Sequence, residues 1–179
     1  MLEKTDPFYR LIAHYYEGKK AKRSGVPYIR HIDEGLAVLK LIKSDETVAR
    51  AYCLHPLVQH DVSLLWVCAT EEYDAAMKGK TWFESTFPWI LAMEYRKVAN
   101  AYLSTRRIKH VDEIDCGPLQ VVKEMLTADK IQNRKDFELY HLDSHERADE
   151  LVEYFAKWFL RLGITEKMYQ DSLEVMATI

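Results

Sequence analysis

Apolar residues recur at intervals of three and four along almost the whole chain, whereas strict alternation over five or more residues is rare. The first spacing places apolar side chains on one face of an α-helix, and alternation would indicate a half-buried strand. The pattern therefore predicts an all-α protein. At 179 residues the chain has the usual size of one domain with its own core, so we expect a single helical domain, residues 1–179.

Capping residues, prolines and glycines divide this pattern into helices. We expect helices to begin at Pro7, at Pro27, after Ser44 or Asp45, near Glu71, at Pro88, after Pro118, after Ser144 and at Thr165. Pro56 falls inside the third helix. Because proline has no N–H and its ring clashes with the carbonyl four residues earlier, we expect Pro56 to break or kink that helix.

Composition narrows the function classes. A hydrophobic content of 48% with only 6 glycines is typical of a packed protein and not of a disordered one. The net charge of −3 argues against general nucleic-acid binding. Three cysteines without paired spacing predict no disulfide framework, and no segment approaches the ~18 apolar residues of a membrane span, so we expect a cytoplasmic protein without a membrane segment.

A carboxylate interrupts the apolar stripe of the helix that follows Pro118. At about 100° per residue, the face that carries Val122 and Met125 continues through Asp129, Asn133 and Asp136. A core-facing carboxylate is costly unless it is paired, hydrogen-bonded or bound to a metal.

Two histidines stand in comparable positions. His31 shares a helical face with Gly35 and Val38, where the glycine leaves space, and His55 lies in the apolar run AYCLHPLV. Each residue alone has an ordinary explanation, a hydrogen-bonded histidine or an Asp129 paired with a neighbouring cation. Together, two histidines and a carboxylate from three helices can bind a divalent metal and leave positions open for water and substrate.

Four segments carry a family resemblance. KRSGVPYIRHIDEGLAVL, AYCLHPLV, MLTADKIQNRKDF and HERADELVEYFAKWF resemble, in order and roughly in spacing, motifs of the RelA/SpoT-type guanosine tetraphosphate hydrolase domain. That domain is a branch of the HD phosphohydrolases. The resemblance covers the chain from about Lys22 to Phe159, and the ADKxxN segment is its most specific part.

The resemblance implies a fold, a reaction and a set of site residues. The fold is an HD-type helical bundle, and the reaction is metal-dependent hydrolysis of a nucleotide, with a guanosine tetraphosphate-like substrate and manganese as the expected ion. The implied metal ligands are His31, His55 and Asp129, the implied nucleoside contact is Asn133, and the implied phosphate contacts are Lys22 and Arg23.

The chain departs from the family where the family has its His-Asp pair. Here the residues are His55 and Pro56, and three positions further on Gln59 and His60 replace an acidic pair. Proline cannot ligate a metal, and glutamine is no general base. Gln59, His60 and Asp61 are the candidate catalytic residues, and of these His60 or Asp61 would have to handle the proton of the attacking water. On a continuous helix His60 points roughly 140° away from His55, but a helix that restarts at Pro56 would allow Asp61 to replace the missing carboxylate.

Two alternatives to this reaction remain. The chain is either a catalytically degenerate relative that binds a nucleotide or a protein partner without hydrolysing it, or an enzyme for another nucleotide such as a deoxynucleoside phosphate. We expect His141, near the end of a predicted helix, to be a surface residue.

Overall fold

The computed structural model describes residues 2–22, 24–59 and 70–179. Within these ranges the chain forms α-helices and no β-strand, which confirms the all-α prediction. None of the described helices has the length and apolar character needed to cross a bilayer. The α-helices are α1 (Pro7–Tyr16), α2 (Ile29–Leu41), α3 (Glu46–Val58), α4 (Glu71–Met77), α5 (Trp82–Ala101), α6 (Gln120–Tyr140), α7 (Ala148–Leu162) and α8 (Glu166–Met176), with a 3-10 turn at Val111–Glu113.

Side-chain caps start several helices where the sequence predicts them. The carboxylate of Asp6 accepts the backbone N–H of Phe8 at the start of α1. Asp45, and not Ser44, caps α3 by accepting two backbone N–H groups. Gly163 ends α7 in the left-handed conformation, with φ 69°, that glycine adopts without strain.

Prolines do not divide the helices as the sequence suggested. Pro56 lies inside α3, so the predicted break is wrong, and Pro88 lies inside α5, which begins six residues earlier at Trp82. A capping box between Thr81 and Glu84 fixes that earlier start. Both prolines are buried, and α3 packs most extensively against α5, so tertiary packing holds both helices through their prolines.

A similar shift occurs at the start of α7. Its N-cap is Arg147, and the predicted cap Ser144 lies in the turn before it.

The core is arranged around α3. Every residue from 51 to 58 is buried, as expected for a helix surrounded on all sides. α1, α2, α5 and α6 pack against it, and α2 also packs against α6. This arrangement brings the middle of α2, the end of α3 and the middle of α6 to one place in the interior.

The close approach of α2 and α3 depends on Gly35. A Cβ atom at this position would lie 2.1 Å from the Tyr52 hydroxyl oxygen and 2.2 Å from its ring carbon Cζ. The space that the sequence predicted above Gly35 is therefore filled by the Tyr52 ring, which stacks beside His31 with 5.9 Å between ring centroids.

We expect Gly35→Ala to lower the free energy of unfolding by about 1–3 kcal/mol, because the fully buried Tyr52 ring cannot move aside without displacing its neighbours. Urea denaturation of a double-mutant cycle with Tyr52→Leu measures the effect. The alanine should cost clearly less in a protein that already carries Tyr52→Leu, since the clashing ring is then gone. Equal costs in both backgrounds would show that this contact does not set the helix spacing.

Candidate metal centre

Three side chains converge where α2, α3 and α6 meet. The Nε2 atoms of His31 and His55 are 3.2 Å apart, and the Oδ1 atom of Asp129 lies 3.7 Å from the first and 4.0 Å from the second. His55 and Asp129 are buried, whereas His31 is half-buried. The structure thus brings together the three residues that the sequence selected as metal ligands.

Gln132 fixes the tautomer of neutral His31. Its amide nitrogen donates to the carboxylates of Glu34 at 2.9 Å and Asp136 at 2.8 Å, so its oxygen must face the other way. That oxygen lies 2.6 Å from Nδ1 of His31. Because an amide oxygen only accepts hydrogen bonds, Nδ1 carries a proton, and the Nε2 lone pair of neutral His31 points to His55 and Asp129.

Pro56 gives His55 a comparable partner. In a regular helix the N–H of residue 56 would donate to the carbonyl of Tyr52, but proline has no N–H. The Nδ1 atom of His55 lies 2.6 Å from that carbonyl and donates to it instead. Pro56 thus leaves a backbone acceptor that directs the Nε2 lone pair of His55 inward.

These hydrogen bonds make the pair of histidines a site for positive charge. Two lone pairs that face each other at 3.2 Å repel unless a proton or a metal ion lies between them. Neighbouring ligand atoms bound at about 2.0–2.2 Å to one ion are roughly 2.8–3.6 Å apart in octahedral or tetrahedral geometry. The separation of the two histidine nitrogens lies in that range, and the separations of 3.7 and 4.0 Å to Asp129 exceed it by a few tenths of an ångström. The donor set fits a divalent cation that accepts nitrogen and oxygen ligands, and these residues can hold such an ion.

Electrostatics keep His55 and Asp129 in the states that a metal requires. Burial, followed by repulsion from His31, lowers the pKa of His55 to about 3, so its imidazole is neutral at pH 7. Burial alone would raise the pKa of Asp129, but the charge of Lys130 and the two histidines lower that pKa to about 2. Metal ligands must be deprotonated, and both are.

Asp129 is surrounded by donors. Oδ2 accepts the Lys130 ammonium at 3.0 Å, and Oδ1 accepts the Asn133 amide at 2.8 Å. Tyr95 donates a third hydrogen bond, and burial, together with the charge of Asp129, raises the pKa of its phenol. Lys130 is itself buried and lies over the Trp158 ring at 4.9 Å; burial alone would lower its pKa, but Asp129 raises it. Asp129 therefore stays ionised in the core.

A second buried carboxylate, that of Glu34, stabilises this arrangement through Gln132. The carboxylate of Glu34 is 1% exposed and accepts the ammonium of Lys135 at 2.9 Å, the guanidinium of Arg30 at 2.9 Å and the Gln132 amide. The network ties α2 to α6 beside His31. It fixes the Gln132 amide and, through it, the imidazole of His31.

The centre lies at the wall of a cavity of about 430 Å³. Gln59 and Asn133, two residues selected from the sequence, line this cavity together with Pro56. Lys22 is exposed and is not among the described residues that line it. Three further residues selected from the sequence, Arg23, His60 and Asp61, lie outside the described residues.

The cavity also contains residues that sequence analysis missed. His141 is half-buried and lines the cavity together with His145, so its assignment to the surface was wrong. Tyr95 and Tyr154 also line it. A signal existed for one pair, because His141 and His145 are four residues apart, but a chain turn and not a helix brings them to this wall.

Comparisons of this chain with protein-family models, with curated proteins and with solved structures found no match.

We expect His31→Ala, His55→Ala and Asp129→Ala each to abolish binding of one divalent ion per chain, because each removes one of three ligands. Titration calorimetry with Mn²⁺ and Zn²⁺, and metal content after dialysis, measure this. His14→Ala is the matched control, since His14 lies exposed on α1 and should leave binding unchanged. Stoichiometric metal in any of the three ligand variants would contradict the assignment.

Gln132→Leu should weaken metal binding by about 10–100-fold while all three ligands remain, because His31 loses the acceptor that orients it. Gln170→Leu, which changes an exposed glutamine on α8, is the control. The dissociation constants of the two variants should differ by about tenfold or more. If they agree, Gln132 does not orient the ligand.

Proposed function

We propose that this protein is a metal-dependent phosphohydrolase that acts on a nucleotide, with a guanosine tetraphosphate-like pyrophosphate as the first candidate substrate and manganese as its ion. The observation that carries the proposal is the convergence of His31, His55 and Asp129 at the wall of a cavity. Two nitrogens and one oxygen leave further coordination positions for water and substrate. Such an ion supplies Lewis-acid activation of a water molecule and of a phosphoryl oxygen.

The cavity suits a nucleotide. Its volume of about 430 Å³ lies within the range of roughly 300–1,000 Å³ found for sites that hold small ligands. Tyr95, Tyr154 and Phe155 contribute aromatic surface on which a base can stack, and Asn133 contributes an amide for hydrogen bonding. Lys130 brings a positive charge to the same wall, which favours an anionic substrate.

Histidines at the cavity wall can handle the proton. Hydrolysis adds water to phosphorus, breaks a P–O bond and requires a proton on the leaving oxygen. Gln59 cannot supply it, whereas His141 and His145 bring imidazole nitrogens to the same wall. Nδ1 of His145 accepts the backbone N–H of Arg147 at 3.1 Å, so neutral His145 carries its hydrogen on Nε2 and can donate a hydrogen bond to the leaving oxygen.

The proposal predicts metal-dependent release of phosphate or pyrophosphate from a panel of guanosine and deoxynucleoside phosphates. Activity with Mn²⁺ should fall on the order of 100-fold or more in His55→Ala and Asp129→Ala, because the ion that activates water is lost. His14→Ala should keep full activity. The absence of turnover on every nucleotide, in a protein shown to bind metal, would reject the proposal.

A specific observation favours a second candidate, a nucleotide-binding protein without hydrolysis. Pro56 lines the cavity at the position where the hydrolase family that the chain resembles has an aspartate, and Asp129 is the sole acidic residue among the described residues of the cavity wall. Such a wall offers few groups that can accept a proton from water. Tight nucleotide binding without turnover would support this candidate.

Substitution of Pro56 separates the two candidates. Pro56→Asp places a carboxylate at the cavity wall, and Pro56→Ala controls for loss of the proline ring. If the chain is a hydrolase with a weakened centre, the aspartate should raise metal affinity and turnover above those of the alanine variant by about tenfold. Turnover close to zero in the wild-type protein as well as in both variants indicates the binding protein, because either substitution also restores an N–H that competes with His55 for the Tyr52 carbonyl.

A further inference from the structure

A second cavity lies along α2 and shares no lining residue with the one at the metal centre. It measures about 710 Å³, within the range of roughly 300–1,000 Å³ of sites that hold small ligands. Residues 2–4, the part of α2 from Asp33 onward and the segment from Val175 to Ile179 form its walls. Six of its lining side chains are aliphatic: Leu2, Leu36, Ala37, Leu41, Val175 and Ile179.

This aliphatic lining is accessible to a ligand. Ile179 is 50% exposed, and Ala37 and Leu41 are half-buried. Each methylene group that moves from water onto such a surface raises an association constant roughly fourfold. Tyr9 is the one aromatic residue among the described residues of the lining, and it is 6% exposed, so it offers no face on which a base can stack. The cavity therefore favours a ligand with an aliphatic chain.

The more buried of the two carboxylates at this cavity already has its partners. The side chain of Asp33 is 15% exposed, and it accepts the Tyr9 hydroxyl at 2.7 Å and the Lys4 ammonium at 3.2 Å. Burial, followed by the hydrogen bond to Asp33, raises the pKa of Tyr9, so its phenol stays a donor. The second carboxylate, that of Glu3, is exposed and accepts the Thr5 hydroxyl.

Two further cations give the cavity an excess of positive charge. Lys40 and Lys43 line it at the end of α2, and their ammonium groups make no hydrogen bond or ion pair with another described residue. Because Lys4 and Asp33 neutralise each other, these two ammonium groups stand against the one carboxylate of Glu3. The C-terminal end of α2 also attracts them, but with a partial charge of only about −0.5. A net positive charge remains for an anionic ligand.

We infer that this cavity binds an amphipathic anion, a fatty-acid-like molecule whose aliphatic chain lies against the apolar lining and whose carboxylate lies at Lys40 and Lys43. Such a ligand matches both properties of the cavity. An alcohol of the same chain length lacks the charge that the lysines attract, and an alkylammonium is repelled by them. The site goes beyond the proposed function, since none of its residues belongs to the metal centre or lines the cavity there.

The free carboxylate, and not a membrane lipid, is the occupant that this shape favours. The cavity is concave and has walls from three segments of the chain, so it encloses a single aliphatic chain. Binding to a bilayer would instead need an amphipathic helix whose apolar face enters the interface.

The test measures binding of octanoate, decanoate and dodecanoate to the whole protein by calorimetry, each below the concentration at which it forms micelles. We expect the affinity to rise roughly tenfold for every two methylene groups, because each is transferred from water to apolar surface. Decanoate should bind at least about tenfold more tightly than decanol, since charge-assisted hydrogen bonds from lysine add affinity. Decyltrimethylammonium should bind more weakly than decanol.

Substitution of the lysines tests the recognition of the carboxylate. Lys40→Gln/Lys43→Asn removes both charges, and asparagine tolerates the left-handed conformation of residue 43, with φ 60°. The preference for decanoate over decanol should fall below about threefold, whereas the dependence on chain length should remain. Lys78→Gln/Lys109→Gln is the matched control, with the same loss of charge at exposed lysines outside this cavity, and it should keep the preference.

Substitution of Ala37 tests the recognition of the chain. Ala37→Phe places a phenyl ring at the cavity wall and should weaken dodecanoate binding by about tenfold or more, because the ring takes the space of several methylene groups. Ala37→Ser, which adds a single oxygen, is the control, and urea denaturation checks that both variants are folded. The lysine variants change only exposed side chains, so they decide the inference even if the phenylalanine variant does not fold.

Three results with the carboxylates would overturn the inference: no binding of dodecanoate up to about 1 mM, an affinity independent of chain length, or an unchanged preference for decanoate in Lys40→Gln/Lys43→Asn. Binding to phosphatidylglycerol vesicles without binding of the free carboxylates would also overturn it and would indicate a membrane surface. Metal content and turnover, measured in the same proteins, should not change, since none of the substitutions alters a metal ligand. Failure of the proposed hydrolase would leave this site unaffected.

Discussion

The buried carboxylate of Asp129 is the constraint on which the interior of this protein depends. An ionised group on the core face of α6 requires partners, and the neighbouring helices provide them: an imidazole each from α2 and α3, a phenol from α5 and an ammonium from the next residue of α6. A helix bundle with a purely apolar core would not need these polar partners at the same height along its helices. Their meeting point is also at the wall of the cavity that His141 and Asn133 line.

Much of the helical order followed from the sequence because it rests on periodicity, and the three candidate metal ligands followed from periodicity together with the family resemblance. Asp129 could be selected since it interrupts an apolar stripe, and His31 and His55 since they lie in apolar surroundings. The helix boundaries predicted from the prolines were wrong. Burial between α3 and α5 offsets the local cost of Pro56 and Pro88, and this packing cannot be recognised from the neighbouring residues in the sequence. The resemblance to a hydrolase family remains a prediction; its value is that it selected three residues which the fold places together.

The residues that the sequence could not assign are those whose role depends on other segments. Gln132 looks like any polar residue of α6 until Glu34 and Asp136 fix its amide. The interpretation of Pro56 changes most between the sequence and the structure. In the sequence it marks a lost ligand, whereas in the structure it leaves the Tyr52 carbonyl free to orient His55.

The ion pair between Asp129 and Lys130 has a consequence for the life of the protein in a cell. Because the chain supplies its own counter-charge for the carboxylate, the newly made polypeptide can complete its core before any ion arrives. If the site takes up a metal, as we propose, folding and metal loading are then separate steps.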